Sequence, residues 1–118
     1  MSQSLRQFKA EVFKALGHPM RIAIVELLQD GELSVGVLQR RLSAEASTVS
    51  QQLAILRMKS IVDSRKDGNL VYYRLRDPGI ARLLAVGRRV FDSHLVQLQT
   101  ISEEQSVEDQ KKPAVAVR

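Results

Sequence analysis

The feature that most constrains this chain is a change of hydrophobic period. Up to Lys59 the apolar residues recur every three or four positions, the spacing of helix faces. They then crowd into two short runs, Ile61 to Arg65 and Leu70 to Leu75, and from Ile80 the helical spacing returns and holds to Ile101. A chain that reads helical, then β, then helical within 118 residues is one mainly helical domain with a single hairpin in it.

The helical part divides at its caps. Leu5, Phe8, Val12 and Leu16 make one face, and Gly17 stands where a helix C-cap belongs. Pro19 suits the first turn of a second helix, since its missing N–H would go unpaired there. Ile22, Val25 and Leu28, with Ile24 and Leu27, carry that helix to about Leu28. Ser34 is a candidate N-cap for a short third helix with Val35, Leu38 and Leu42. A fourth is expected from about Ser47 to Lys59, with Val49, Leu53 and Leu56 as its apolar face. The spacing of Thr48 and Gln51 fits a capping box at its start.

Between the two β-rich runs lies "KDGN", whose Asp67-Gly68 is a hairpin signal. The last helix carries Ile80, Leu84, Gly87, Phe91, His94, Leu98 and Ile101 as a stripe. From Ser102 the periodicity fails, and residues 102–118 are expected as a disordered polar tail behind a folded domain of residues 1–101. That last stripe is too apolar for a monomer's surface. With Leu5, Phe8 and Val12 it is expected to pack against a twofold mate.

Charge points to the partner. The net charge is +5. The tail holds three Lys/Arg against four Asp/Glu, or −1, which leaves fifteen against nine, or +6, on residues 1–101. Such a balance suits a polyanion, first of all nucleic acid. Arg57, Lys59, Arg65, Lys66, Arg74 and Arg76 surround the hairpin, opposed only by Asp63 and Asp67. The order is helix, helix, helix-turn-helix, basic hairpin, long helix, which describes a winged helix-turn-helix. Its second motif helix would enter the major groove of double-stranded DNA by its N-terminal residues. Here those are Ser47, Thr48, Ser50, Gln51 and Gln52. Hydroxyls reach phosphates and carboxamides read base edges. Arg57, Arg65, Lys66 and Asn69 are expected to contact DNA as well, the hairpin gripping the flanking backbone or minor groove.

Other classes fit poorly. No phosphate-binding glycine loop or paired histidine and nucleophile is present, so an enzyme is not expected. The chain has no cysteine, which excludes disulfides and thiolate metal sites and fits a cytoplasmic location. No apolar run approaches the ~20 residues of a membrane span. The competing reading is a protein-interaction module that keeps the winged fold without reading DNA sequence.

Taken together, "ALGHPMRIAIVELL" (15–28), "ELSVGVLQRRL" (32–42), "STVSQQLAILR" (47–57) and "RKDGNLVYYRL" (65–75) resemble the ArsR/SmtB family of winged helix-turn-helix repressors. The resemblance covers roughly residues 5–101. It implies a homodimer on an operator with dyad symmetry, released by an effector. Ser47, Thr48, Val49 and Ser50 match the family's recognition segment, while Gln51 and Gln52 stand where two histidines are common.

The resemblance also says what this chain lacks. The arsenic- and metal-sensing branch carries two cysteines where Ser34 and Gly36 stand here. A serine hydroxyl is a poor ligand for soft ions and glycine offers none. The zinc-sensing branch opens its last helix with Asp-x-His, and the matching positions here are Asp77 and Gly79. Further along, Val90 and Ser93 occupy the second pair of positions. Asp92 and His94 form an Asp-x-His, but residues two apart point about 200° apart around a helix. No metal or other cofactor is therefore expected. An unidentified small organic effector, or regulation by abundance alone, both stay open.

Overall fold

The first three helices begin or end on residues that satisfy loose backbone groups. The computed structural model describes residues Gln3 to Lys111. Helix α1 (Gln3–Leu16) stops before Gly17, whose N–H donates to the Lys14 carbonyl at 3.2 Å. Helix α2 (Pro19–Leu28) has His18 as its N-cap, and His18 Nδ1 accepts from the Met20 N–H at 3.0 Å. Helix α3 (Val35–Leu42) is capped as expected by Ser34, whose Oγ accepts from the Val37 N–H at 3.3 Å.

Helix α4 (Ala46–Met58) departs from expectation at its start. Its N-cap is Glu45, with no side-chain capping bond. Thr48 and Gln51 lie inside the helix, so the capping box does not form. The chain leaves α3 through Ser43, which takes the left-handed φ of 50°. That conformation turns the backbone sharply enough to start α4 three residues later.

The hairpin is β2 (Val62–Asp67) and β3 (Leu70–Leu75), paired from Val62↔Leu75 to Asp67↔Leu70. Its central turn residues are therefore Gly68 and Asn69, one position beyond the expected Asp67-Gly68. Gly68 takes φ of 62° while Asn69 stays at negative φ, the pattern of a type II′ turn. A third strand, β1 (Leu33–Ser34), pairs with β3 at Tyr73 and Tyr72 and makes the sheet order β1-β3-β2. Two residues are too short to show a period, which is why only a hairpin was expected.

Ile24, Leu28, Leu38, Leu53 and Leu56 are fully buried, joined by Val25, Val49 and Val62. Each such Leu or Ile stabilises the fold by roughly 1.5–3 kcal/mol relative to exposure. No buried side-chain polar atom among the described residues lacks a hydrogen bond. Val12, Ile80, Leu83 and Leu84 pack against this core.

The chain divides into two units, one through Leu84 and one from Ala85. Helix α5 (Gly79–Lys111) begins in the first and makes up the described part of the second. It runs past Ile101, so the segment expected as an unstructured tail is helical through Lys111. Glu and Gln supply five of residues 102–111, and no Gly or Pro interrupts before Pro113. Helix propensity thus continues where the apolar periodicity ends. The rest of the expected tail, 112–118, lies outside the described residues.

Candidate nucleic-acid interface

Helix α4 sets the geometry of the candidate site. Val49, Leu53 and Leu56 point into the core, which turns the opposite face outward. Ser47, Ser50 and Gln51 are exposed on that outer side and Thr48 is half-buried. Ser50 also shares a hollow with the hairpin, lined by Ser34, Gly36, Ser50, Asn69, Val71 and Tyr73. The fold thus brings the exposed end of α4 beside the hairpin turn at Asn69, though the two are far apart in sequence.

Gln52 is placed differently from its neighbours. Its Oε1 accepts from Arg21 Nη1 at 2.9 Å. Arg21 donates only, so the carbonyl end of the amide must face it. The same guanidinium donates through Nε to the Ala15 carbonyl and through Nη2 to the Lys14 carbonyl. Both lie in the last turn of α1, where carbonyls lack partners within the helix, and the Lys14 carbonyl also accepts from Gly17. Seven residues further along α4's axis, Lys59 Nζ pairs with Glu11 of α1 at 3.0 Å. Gln52 therefore ties α4 to Arg21 of α2, and through it to the end of α1, on the flank of the helix and away from its outermost face.

The basic hairpin sorts into engaged and unengaged cations. Arg65 makes a two-pronged bond to Glu32, Nε at 2.8 Å and Nη2 at 2.7 Å. Its Nη1 lies 3.8 Å from Asp67, and its guanidinium sits 4.6 Å from the centre of the Tyr72 ring. Arg76 is held by Asp63 at 2.7 Å. Lys66, Arg57 and Arg74 have no ion-pair partner among the described residues. Hydrogen bonding from Arg65 lowers the Glu32 pKa below its ordinary 4.5, and Arg76 does the same for Asp63. Both carboxylates are ionised at neutral pH.

The sequence points Arg65 and Gln52 at DNA and gives no sign of their partners in the fold, Glu32 and Arg21. Those pairings span 33 and 31 residues, and no local pattern signals them.

The expected dimer stripe is split. Val12, Ile80 and Leu84 cover the core of the chain's own first unit. Leu5 and Phe8 of α1 are exposed, and from Ala85 to Gln105 every side chain of α5 is exposed. That range includes Phe91 at 58% and Leu98 at 49%, along with His94. A Cβ placed on Gly87 would meet nothing within 4 Å. Asp92 is 3.9 Å from Arg88, one helical turn back. Among the described residues no helix is long and apolar enough to cross a membrane.

Comparison with known proteins gives a consistent picture. A family described as a helix-turn-helix domain matches residues 16–65. The chain is 48% identical over 90 residues to Rv0081 of Mycobacterium tuberculosis, named as an HTH-type transcriptional regulator, covering 75% of this chain and 79% of that protein. The crystal structure of Rv0081 superposes with a TM-score of 0.71 at 45% identity, covering 81% of this chain and 97% of that one. A biofilm growth-associated repressor of Agrobacterium fabrum is 39% identical over 82 residues, covering 70% of each chain. The homodimeric winged helix-turn-helix DNA-binding domain Mb0332 of Mycobacterium bovis, titled a possible ArsR-family regulator, matches with a TM-score of 0.70. It is 33% identical and the match covers 80% of this chain and 91% of that one.

Proposed function

The chain belongs to the ArsR/SmtB family of winged helix-turn-helix transcriptional regulators, and from that premise we propose that it acts as a homodimeric repressor on an operator of dyad symmetry. The observation that carries this reading is the outward face of α4. Ser47, Ser50 and Gln51 are exposed there beside a hairpin whose Lys66 and Asn69 side chains are unengaged among the described residues. Such a pair of elements spans a major groove and the adjoining backbone.

In this reading Ser47, Thr48, Ser50 and Gln51 contact DNA from the groove side, Gln51 reading a base edge. Arg57, Lys66 and Asn69 hold phosphates. Gln52 positions the helix through Arg21. A twofold mate covers the exposed apolar residues of α5 together with Leu5 and Phe8, and sets two α4 helices about 34 Å apart. The homodimeric Mb0332 domain and the repressor relative support this arrangement. Ser34, as a helix cap, and Gly36 offer no soft-metal ligand.

Fluorescence anisotropy on the duplex upstream of the protein's own gene, with a scrambled duplex at the same salt, tests the reading. A large preference for the native duplex is expected, with a reporter whose expression rises when the gene is deleted. Equal, weak binding to both duplexes together with capture of a protein partner would favour an interaction module instead.

A further inference from the structure

The wing carries two adjacent cations in opposite states. Lys66 has no ion-pair partner among the described residues, whereas Arg65 gives its Nε and Nη2 to Glu32 and has Asp67 3.8 Å from its Nη1. Strand alternation puts the two on opposite faces of β2. The Nε–Nη2 edge of a guanidinium is also the edge that grips a phosphate, and in Arg65 Glu32 occupies it at 2.8 and 2.7 Å. Tyr72 covers one face of the same group and Asp67 approaches its remaining nitrogen. Two carboxylates thus surround one positive charge.

We infer that Glu32 stands in for a DNA phosphate and holds Arg65 out of the DNA contact, so that Glu32 limits the affinity of the wing. This rests on the DNA-binding reading above and deepens it. A protein cation already neutralised by a carboxylate displaces few of the counterions condensed on DNA, and so adds little to the affinity or its salt dependence. The pair is closed by two short bonds between a guanidinium and a carboxylate that are both charged at neutral pH. Glu32 lies at the entry to β1 and α3, so any rearrangement of that entry which withdraws it would add one phosphate-binding charge to the wing. The segment would then control DNA affinity without a metal ligand in it.

The test is a double-mutant cycle on the intact protein, read as DNA affinity against salt. Glu32→Gln should bind tighter by several-fold at low salt, with a slope steeper by about 0.9, one phosphate's worth. Arg65→Ala alone should change affinity by less than twofold and leave the slope unaltered. Glu32→Gln in the Arg65→Ala background should do nothing. Lys66→Ala should weaken binding and flatten the slope, which shows that the wing is on DNA at all. Three results overturn the inference. One is Arg65→Ala weakening DNA as Lys66→Ala does. Another is Glu32→Gln weakening it. The third is Glu32→Gln tightening binding equally without Arg65, a general charge effect. Arg65→Ala decides the matter even if Glu32→Gln folds poorly. Wild-type protein that binds no duplex overturns the DNA-binding reading itself, before any variant is compared.

Discussion

Arg21 Nη1 donates to Gln52 Oε1 across 2.9 Å, and the same guanidinium holds the end carbonyls of α1. One side chain of α2 thereby fixes α4 to α1. Arg21→Ala removes a charged donor from half-buried acceptors and should cost about 1–2 kcal/mol in stability. Urea unfolding measures it.

The neighbouring glutamines should then behave differently. Gln51→Ala should relax base preference at one operator position and cost about 1–3 kcal/mol of specific binding. Gln52→Ala should weaken all duplexes alike, because it loosens α4 without removing a base contact. Affinities across a panel of operator variants separate the two patterns. A changed base preference from Gln52→Ala would return that residue to the groove.

The turn between α3 and α4 holds Ser43 at φ 50°. The left-handed conformation costs a residue with a Cβ roughly 1 kcal/mol, and glycine adopts it freely. Ser43→Gly should therefore raise stability by about 0.5–1 kcal/mol and leave DNA binding intact. Gly36 gives a second case. A Cβ there would meet only Arg40 Nη1 at an ordinary 3.6 Å, so Gly36→Ala should also stabilise the helix, by about 0.5–1 kcal/mol. Thermal midpoints of the two variants check both numbers.

These residues show where sequence reading succeeds. Local chemistry was legible: Pro19 opens a helix, Ser34 caps one, and Val49, Leu53 and Leu56 face the core. Each depends on neighbours within a turn or two. What was not legible depends on distant partners. Leu33 and Ser34 become a strand only because Tyr73 and Tyr72 arrive beside them. Arg65 loses its freedom to Glu32, and Gln52 loses its to Arg21. The end of α5 was misread for another reason. Polar composition without apolar periodicity suggests disorder, although Glu and Gln are good helix formers.

Acid should weaken the fold modestly through its surface pairs, whose contribution solvent screens. Hydrogen bonding from Lys59 lowers the Glu11 pKa, Arg65 lowers that of Glu32, and Arg76 lowers that of Asp63. Each folded value lies below the unfolded one, so each pair stabilises the fold above the unfolded pKa and stops doing so as pH falls through the folded value. The ordinary values are 4.5 for the two glutamates and 3.8 for Asp63. Urea midpoints should stay level down to about pH 5 and drop below it. Replacing all three carboxylates with amides should flatten the drop. An unchanged drop would assign acid sensitivity to other groups.

The exposed side of α5 gives the remaining prediction. Phe91 is 58% exposed in the single chain, so a charge there should alter the stability of a lone protomer by no more than about 0.5 kcal/mol. In a dimer that covers the stripe, the same charge would be buried against apolar neighbours. Phe91→Glu should then give a monomeric mass by light scattering at micromolar concentration, with the core still melting cooperatively. Operator binding should fall by at least about a hundredfold, because two linked half-site contacts become two separate ones. Gly87→Ala refines the picture. Nothing lies within 4 Å of its Cβ position in one chain, so a weakened dimer would mean that the mate's backbone comes close at that point. A dimer that survives Phe91→Glu unchanged would move the interface off this stripe, leaving Leu5 and Phe8 of α1 as the apolar residues to substitute next.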